Sequence, residues 1–467
     1  MELLTAVRTR DAYANLALPA ILRRHRLRDR DAALATELGY GTLRAQGLLD
    51  AVIDECTDRP LARVEHAVLD ALRLGAYQLL RTRIPPHAAV ATTVELVRAE
   101  AGSRAGGFVN AVLRRVGERD EQAWVAALAP SSDEDPVGRA AFAHSHPRWI
   151  AQAFADALGR SPDPAAELDA ALAADDARPA VHLLARPGEI TAAELALVTG
   201  GAEAPYSPYG VHLPSGGGDV GEIDAVGEGL AIVQDEGSQL VALALSRAAL
   251  VGEDGGRWLD LCSGPGGKSV LLGGLVAIDG GTLDAVEPSE HRAGMVRRAT
   301  DGLPVTVHQA DGREAPLPDA SFDRVLVDAP CTGLGALRRR PEARWRRQPS
   351  DVAGLTGLQR GLLTAALRHV RPGGVVAYVT CSPHLSETAG VLSAVRRKHP
   401  DVEQLDAREY LPAGPTLATA HRAAVAAPAR HRRDVPRAAA PGFLTVDHPR
   451  RYSRSASRNR RTSDSSL

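Results

Sequence analysis

The chain has 467 residues, more than one ordinary hydrophobic core accommodates, so we expect two or three domains. Hydrophobic residues make up 44% and charged residues 24% of the sequence, which is typical of a soluble globular protein. The net charge of −2 gives no overall argument for nucleic-acid binding. Because the sequence has neither a long apolar stretch nor a signal-peptide core, we expect a cytoplasmic protein with no membrane partner.

The four cysteines are widely spaced and form no pair of the metal-binding type: Cys56, Cys262, Cys331 and Cys381. Without an export signal, they are expected to be free thiols rather than disulfides. We therefore expect no metal ion, and we expect the protein to be a monomer.

Residues 1–117 are predicted to be helical, because their apolar residues recur at helical spacing between breaks at proline and glycine. The blocks LRLGAYQLL, IPPHAAVATTVELV and GFVNAVLRRV resemble the NusB-type RNA-binding fold, which is a small helical bundle. The basic run LRRHRLRDRD either follows an RNA phosphate backbone or forms an ordinary solvated helix face, and the sequence favours neither.

Residues 118–145 are acidic, contain proline and serine, and show weak periodicity, which indicates a linker between domains. Residues 146–228 predict a small α/β subdomain, with helices in HPRWIAQAFADAL and ITAAELALVT and strands in PAVHLLARPG and YGVHLPS. A larger α/β domain is expected over residues 229–416.

The sequence RWLDLCSGPGGKS, residues 257–269, predicts a strand that ends at Asp260, a tight glycine turn, and the start of a helix. Free backbone N–H groups at such a helix start bind anions or nucleotides, and glycine lets a ligand approach closely. The turn is not a phosphate-binding P-loop, since Cys262 stands where that motif needs glycine, and it lacks the third glycine of the dinucleotide motif. A plain strand-to-helix turn is the structural alternative.

Further strands are predicted downstream, and each is followed by a residue that can take part in binding or catalysis: Glu287, Asp311, Asp328 with Cys331, and Cys381. The carboxyl ends of parallel strands form the ligand-binding edge of an open α/β sheet. We therefore expect these side chains to converge on the glycine turn.

The motifs DAPCTG, around Cys331, and TCS, around Cys381, are specific when they occur together. With the glycine turn they resemble the RNA cytosine-C5 methyltransferases of the Nol/Nop/Sun family, and more closely its RsmB (Sun/Fmu) branch, over most of the chain. The resemblance implies a Rossmann-like domain that uses S-adenosylmethionine (SAM) and modifies small-subunit ribosomal RNA, with a NusB-like domain at the N-terminus. It also implies that Gln234 and Ser238 face the cofactor, although Ser238 could equally cap a helix.

The resemblance implies covalent catalysis, because C5 of neutral cytosine is a poor nucleophile. A thiolate that adds to C6 converts the ring into an enamine-like species whose C5 attacks the methyl group. By resemblance Cys381 is this nucleophile, Cys331 helps to release the methylated RNA, and Asp328 bonds N3 or holds the base. The target base must leave its stack to reach such a site. Lone cysteines are usually buried apolar residues, which is what we expect of the Cys56 and Cys262 thiols.

The resemblance likewise assigns a cofactor site. Glu287 is expected to bind the ribose hydroxyls, Asp311 the adenine amino group, and Asp328 the ammonium group. The family loop usually reads CAAPGGK, and the Ser-Gly pair that replaces its two alanines is not expected to abolish binding. The loop residues implied in cofactor binding, with Lys268 and the backbone amides facing the SAM carboxylate, are Cys262, Ser263, Gly264, Pro265, Gly266, Gly267 and Lys268.

The segment GLGALRRRPEARWRR after Cys331 carries six arginines and one tryptophan. This composition suits contact with single-stranded or splayed RNA, and a solvated charged loop is the alternative.

Two other functions are compatible with parts of the sequence. The helical bundle alone would permit a non-catalytic RNA-binding or antitermination-like factor, but the intact Cys331 and Cys381 argue against it. A small-molecule methyltransferase would need neither two cysteines nor a helical RNA-binding module.

Beyond about Thr416 the sequence loses its periodicity, and residues 417–467 are predicted to be a disordered tail. The family closes its sheet with a hairpin resembling VQLWPHRHGTDATFLA. Moving the reading frame of residues 422–438 by one base returns nearly that string, so we hypothesise a frameshift, which sequencing of the gene tests. The motif GFL at 442–444 is interpreted as a chance likeness. If the tail is genuine, an interior position of the sheet is expected to be empty.

Overall fold

A computed structural model describes residues 1–159, 163–214 and 220–412, together with the backbone of 442–446. These residues form an N-terminal helical bundle, a small α/β subdomain with a four-stranded sheet, and an α/β domain with a seven-stranded sheet. The predicted fold class is confirmed. No helix within the described ranges is long and apolar enough to cross a membrane.

The N-terminal bundle is built by helices whose apolar faces meet in one core. Leu48, Leu49, Leu72 and Leu113 are almost completely buried there, and each such leucine contributes roughly 1.5–3 kcal/mol by leaving water. The helices are α1 (Glu2–Arg10), α2 (Ala14–Arg24), α3 (Asp29–Glu55), α4 (His66–Arg81), α5 (Pro86–Ala101) and α6 (Ser103–Val116).

The segment at 118–145 was predicted to be a linker, and it is folded instead. It contains α7 (Glu121–Leu128) and α8 (Pro136–Ala143). Trp124 of α7 is buried in the bundle core and donates its indole N–H to the carbonyl of Val116 at 3.0 Å. Each helix has only 8 residues, too few to produce a clear helical period in an acidic sequence.

The small subdomain begins with α9 (Arg148–Leu158), as predicted. Its four-stranded sheet has the order β2-β3-β1-β4, and β1 runs antiparallel to both β3 and β4. The strand β4 follows the predicted boundary at residue 228, yet it pairs with β1 and so belongs to the small sheet. The predicted strands and helix are confirmed as β1, β3 and α11 among these elements: α10 (Pro164–Asp176), β1 (His182–Ala185), α11 (Ala192–Thr199), β2 (Ala202–Glu203), β3 (Gly210–His212), α12 (Asp224–Gly227) and β4 (Ala231–Val233).

The seven-stranded sheet of the third domain has the order β10-β11-β9-β8-β5-β6-β7, and its strands β9, β8, β5, β6 and β7 are parallel. Its elements are α13 (Glu236–Arg247), β5 (Arg257–Asp260), α14 (Gly267–Ile278), β6 (Thr282–Val286), α15 (Glu290–Ala299), β7 (Val305–His308), β8 (Phe322–Asp328), α16 (Ala343–Arg346), α17 (Asp351–His369), β9 (Val370–Val379), α18 (Ala389–Arg396), β10 (Val402–Asp406) and β11 (Gly442–Val446).

The central strands of this sheet are buried because helices cover both faces, which explains why β8 and β9 read as nearly continuous apolar runs. The predicted strands at 257–260 and before Glu287, Asp311, Asp328 and Cys381 are all present. Parallel pairing of β8 with β5 and β9 brings their carboxyl ends to the same edge of the sheet.

The strand β11 corrects the expectation of an empty position in the sheet. It runs antiparallel between β10 and β9, with Phe443 opposite Leu405 on one side and Ala377 on the other. Two strands with unpaired backbone groups on either side of a gap favour pairing with any short extended segment. The frameshift hypothesis concerns residues 422–438, which lie outside the described residues.

Removing β11 should destabilise the third domain. A chain that ends after Pro441 leaves β9 and β10 without their shared partner, so its Tm is expected to fall by at least about 5 °C. A chain that ends after Val446 retains the strand and should match the full-length protein. Equal Tm values for the two truncated chains in a thermal melt would contradict this pairing.

Candidate active site

The glycine turn between β5 and α14 lets neighbouring side chains approach its backbone closely. Gly266 has a φ of 114°, which favours glycine. A Cβ atom on Gly264 would lie 2.2 Å from Oε2 of Glu287, so the absence of a side chain makes room for this carboxylate. The N-cap residue of α14 is Gly266, which has no side chain that could cap the helix. Its first N–H groups can therefore face an anionic ligand.

The carboxylates that follow β6 and β7 each bind a nearby arginine. Glu287 accepts hydrogen bonds at Oε1 from the backbone N–H of Ser289 at 2.8 Å and from Nε of Arg292 at 2.9 Å. Asp311 accepts from Nη2 of Arg313 at 2.6 Å, and this hydrogen bond is the main reason why the pKa of Asp311 is lowered. Neither arginine was predicted from the sequence, although both stand within five positions after their carboxylates.

Lys268 and Asp328 form an ion pair beneath the glycine turn, with Nζ 2.7 Å from Oδ2. Burial alone would lower the pKa of Lys268, but the charge and the hydrogen bond of Asp328 outweigh it, and the net shift is upward. Lys268 was predicted to face a ligand carboxylate and Asp328 an ammonium group. In this structure the two side chains neutralise each other. A ligand group that carries both an ammonium and a carboxylate would therefore meet the charges of Lys268 and Asp328 at the same place.

Two buried side chains beside the turn carry polar atoms that have no hydrogen-bond partner in the described part of the chain. Gln234 is 6% exposed, and neither atom of its amide has a hydrogen-bond partner in the described part of the chain. Its amide nitrogen is the nearest atom, at 3.5 Å, to a Cβ built on Gly267. Asp260 accepts from Ser269 at 2.6 Å, and burial raises its pKa to about 6, but its Oδ1 has no partner among the described atoms. Unsatisfied buried donors and acceptors at this position fit a polar ligand.

Ser238 does not cap the following helix. The helix α13 begins at Glu236, and the carboxylate of Asp235 caps it by accepting from the backbone N–H of Gly237 at 3.0 Å.

The two cysteines of the specific motifs come together at the ends of neighbouring strands. Cys331 follows β8 and Cys381 follows β9, and their Sγ atoms are 3.3 Å apart. Cys381 is exposed to solvent, whereas Cys331 is partly buried. The backbone N–H of Gly335 donates to the carbonyl of Cys381 at 2.8 Å and joins the two loops a second time.

The environment shifts the pKa values of the two thiols in opposite directions. The pKa of Cys381 is lowered, first by the hydrogen bond with Cys331, and further by the positive charges of Lys268 and Arg340, which outweigh burial and the charge of Asp328. The pKa of Cys331 is raised, first by the same hydrogen bond and then by burial. When the pair loses a proton, Cys381 is therefore the thiol that becomes the thiolate, with Cys331 as its hydrogen-bond donor.

The remaining cysteines have no such environment. Cys56 is buried in the bundle core, where burial raises its pKa to about 11. Cys262 packs against the core of the third domain, and burial raises its pKa well above the usual value. Both thiols are protonated at neutral pH, as expected of apolar packing residues.

The basic segment after Cys331 mostly binds the rest of the protein. The guanidinium of Arg344 is fully buried and donates to Oδ1 of Asp176 at 2.7 Å and to the carbonyl of Arg44 at 3.1 Å. The ring of Trp345 lies against Gly47 of α3. The prediction of an RNA-stacking element is therefore wrong for Arg344 and Trp345, because both dock the helical bundle onto the third domain.

Arg340 is the part of this segment that stays open to solvent. Its guanidinium lies 5.0 Å from the ring centre of Tyr13, and the tyrosine itself is 41% exposed. Its positive charge also contributes to the lowered pKa of Cys381.

An open, mostly parallel sheet with a glycine turn after its first strand and a carboxylate after its second gives the third domain the arrangement of a Rossmann-like domain that binds a nucleotide-containing cofactor. Comparison with known proteins agrees. Residues 247–438 match the family model described as 16S rRNA methyltransferase RsmB/F, and residues 1–118 match the model of the NusB family.

Several relatives resemble nearly the whole chain. The Mycobacterium tuberculosis protein Rv1407 is 60% identical over 407 residues, which is 87% of each chain. Ribosomal RNA small subunit methyltransferase B of Klebsiella pneumoniae is 33% identical over 80% of this chain and 84% of its own. The protein of the same name from Pseudomonas putida is 33% identical over 86% and 89%.

A solved structure, that of PH0851, has the same fold. Its TM-score is 0.70 at 21% identity, and the match covers 92% of this chain and 93% of that one. The chain described here therefore belongs to the RsmB/F family of 16S rRNA methyltransferases and carries an N-terminal NusB-like domain. It is a SAM-dependent rRNA methyltransferase.

The lowered pKa of Cys381 should be measurable by alkylation. Iodoacetamide should modify Cys381 with a pH midpoint below the usual thiol value of about 8.5, whereas Cys56 should stay unmodified in the folded protein. The Cys331→Ala variant loses the hydrogen bond that stabilises the thiolate, so its midpoint should move upward, and its rate at pH 7 should fall several-fold. Peptide mass spectrometry over a pH series gives both rates. An unchanged midpoint in Cys331→Ala would contradict the assignment of donor and thiolate.

Proposed function

We propose that this protein forms 5-methylcytosine in the small-subunit rRNA through a covalent bond between Cys381 and C6 of the target base. The observation that carries the proposal is the pair of thiols 3.3 Å apart, of which only the exposed one, which feels the charge of Lys268, has a lowered pKa. Methyltransferases that act on a nucleophilic atom need no such pair. Relatives named ribosomal RNA small subunit methyltransferase B support this RNA as the substrate.

The first step uses the charge difference between the two thiols. The Cys381 thiolate adds to C6 and forms the Sγ–C6 bond, while the displaced electron pair moves to the ring and makes C5 nucleophilic. Asp328, held in place by Lys268, bonds the ring at N3 or holds the base during this step. When bound, SAM supplies an electrophilic methyl group.

The second step returns the enzyme to its starting state. C5 must give its proton to a base or to water. The C–H electron pair then forms the C5–C6 double bond, and the electron pair of the Sγ–C6 bond leaves with Cys381. Cys331 lies beside that bond and assists the elimination. When Cys381 leaves as a thiolate, Cys331 can donate a hydrogen bond to it across the 3.3 Å that separates the two sulfurs and so stabilise it.

The proposed cofactor roles follow the distribution of charge and of unsatisfied groups. Glu287 would hold the ribose hydroxyls and Asp311 the adenine amino group, so Arg292 and Arg313 must share or release these carboxylates. The uncapped start of α14 would face the carboxylate of SAM. Residues 262–268 would line the amino-acid part of the cofactor, beside Gln234.

Variants of the two cysteines should separate bond formation from release. Cys331→Ala is expected to accumulate an RNA–protein adduct that survives denaturing electrophoresis, because elimination is slowed after the bond has formed. Cys381→Ser should give no adduct and lower methylation by more than about 10³-fold. Bisulfite mapping of 16S rRNA in cells without the gene should show the loss of 5-methylcytosine, restored by the wild-type gene but not by Cys381→Ser.

Wild-type turnover by Cys381→Ser would refute the covalent mechanism. Loss of methylation at a base other than cytosine in cells that lack the gene would refute the proposed product. Cys56→Ser is the matched control, since it alters a buried thiol that no proposed step uses.

A further inference from the structure

A buried carboxylate joins the two loops that carry the reactive cysteines. Glu387 is completely inaccessible to solvent and lies between β9 and α18. The proposed reaction assigns it no role, and none of the described arginine, lysine or histidine side chains forms an ion pair with it. A buried charge without a counter-ion is unfavourable, so the hydrogen bonds of Glu387 must offset the cost of its burial.

Glu387 binds the residue that follows each cysteine. Its Oε1 accepts from the backbone N–H of Thr332 at 2.8 Å, and its Oε2 accepts from the hydroxyl of the same threonine. Oε2 also accepts from the hydroxyl of Ser382 at 2.6 Å. Because Thr332 follows Cys331 and Ser382 follows Cys381, one carboxylate fixes both cysteine backbones relative to each other.

Gln359 completes the arrangement from α17. Its Nε2 donates to Oε1 of Glu387 at 3.0 Å and to the carbonyl of Pro330 at 2.9 Å. Pro330 precedes Cys331, so this cysteine is held from both sides. The hydroxyl of Tyr378 donates to the backbone carbonyl of Glu387 at 2.7 Å and fixes the carboxylate's own segment.

This network is better suited to setting a geometry than to adding stability. An apolar cluster of the same volume would stabilise the loops at least as well as a desolvated carboxylate. The carboxylate instead accepts four hydrogen bonds on its two oxygens, from both loops and from Gln359 at once. A thiol–thiol hydrogen bond depends on a distance that flexible loops would not maintain.

We propose that Glu387 is a positioning residue that holds the Sγ atoms of Cys331 and Cys381 within hydrogen-bond distance and so keeps Cys381 reactive. The inference rests on the proposed function of the two cysteines. The negative charge of Glu387 also adds to the raised pKa of Cys331, after the larger effects of the Cys381 hydrogen bond and burial. Glu387 thus helps to keep the proton on the donor.

Three substitutions separate the effect of side-chain length from the effect of side-chain charge. Glu387→Asp keeps the charge but is one methylene too short to bind both loops, so its effect should be large. Glu387→Gln keeps the length and one acceptor, and its amide can donate to the two hydroxyls, so its effect should be small. Glu387→Ala removes the connection altogether.

Asp323→Ala is a matched control. Asp323 is also a buried carboxylate, 3% exposed, and it binds Arg371 at 2.6 Å. It lies at the amino end of β8, whereas the cysteines lie at the carboxyl end. This variant should lower the Tm of the same domain without changing the reactivity of Cys381.

The readouts are the pH midpoint of Cys381 alkylation, the rate of Cys331–Cys381 disulfide formation with diamide, and the steady-state constants for RNA methylation. In Glu387→Asp the midpoint should rise and disulfide formation should slow. Its kcat should fall by about 10²-fold, because a catalytic group misplaced by about 1 Å loses about that much rate. Its KM for RNA should stay unchanged. In Glu387→Gln the alkylation midpoint, the disulfide rate and the kcat should all stay close to their wild-type values.

Wild-type alkylation and disulfide rates in folded Glu387→Asp would overturn the proposal. Equal losses in Asp323→Ala would also overturn it, since the effect would then reflect domain stability. Thiol reactivity is measured without RNA or SAM. A failure of the covalent mechanism, seen as an active Cys381→Ser variant, is therefore distinguishable from a failure of this inference.

Discussion

The hydrogen bond between Cys331 and Cys381 is the interaction on which the proposed chemistry depends. It exists because β8 and β9 are parallel neighbours in register, with Asp328 opposite Val379, so that the loops after them meet. A hydrogen bond between two like groups is asymmetric once one of them ionises. Here the exposed thiol next to Lys268 takes the negative charge, and the partly buried thiol keeps the proton.

The same loop that carries Cys331 also docks the N-terminal domain. After Cys331 the chain continues to Arg344, whose buried guanidinium binds carbonyl and carboxylate oxygens from the helical bundle and from α10. Arg346 donates to the carbonyl of Ala12 at 2.7 Å. The bundle therefore holds a fixed position relative to the thiols, and its exposed Tyr13 stacks on Arg340 near Cys381. An RNA segment bound by both domains would be presented to one site.

Most of the fold could be predicted from the sequence because each element carries its own signal. Apolar runs gave the buried strands of the parallel sheet, and the glycine turn marked the edge where ligands bind.

The predictions that failed did so for physical reasons. The helices α7 and α8 are too short to show a period, and β11 forms because neighbouring strands need a partner, not because of its own sequence. Arginine-rich composition could not reveal that Arg344 binds protein carbonyls. Glu387 was missed because its role depends on hydrogen bonds to Thr332 and Ser382 that only the folded chain brings together.

The most direct test of the account uses RNA in which the target cytosine is replaced by 5-fluorocytosine. Fluorine at C5 cannot leave as a proton does, so a covalent intermediate remains bound to the enzyme after methyl transfer. Mass spectrometry of the digested conjugate should place the nucleotide on the peptide that contains Cys381. A conjugate on Cys331, or methylation of unmodified RNA by an enzyme that forms no conjugate with the fluorinated RNA, would contradict the account.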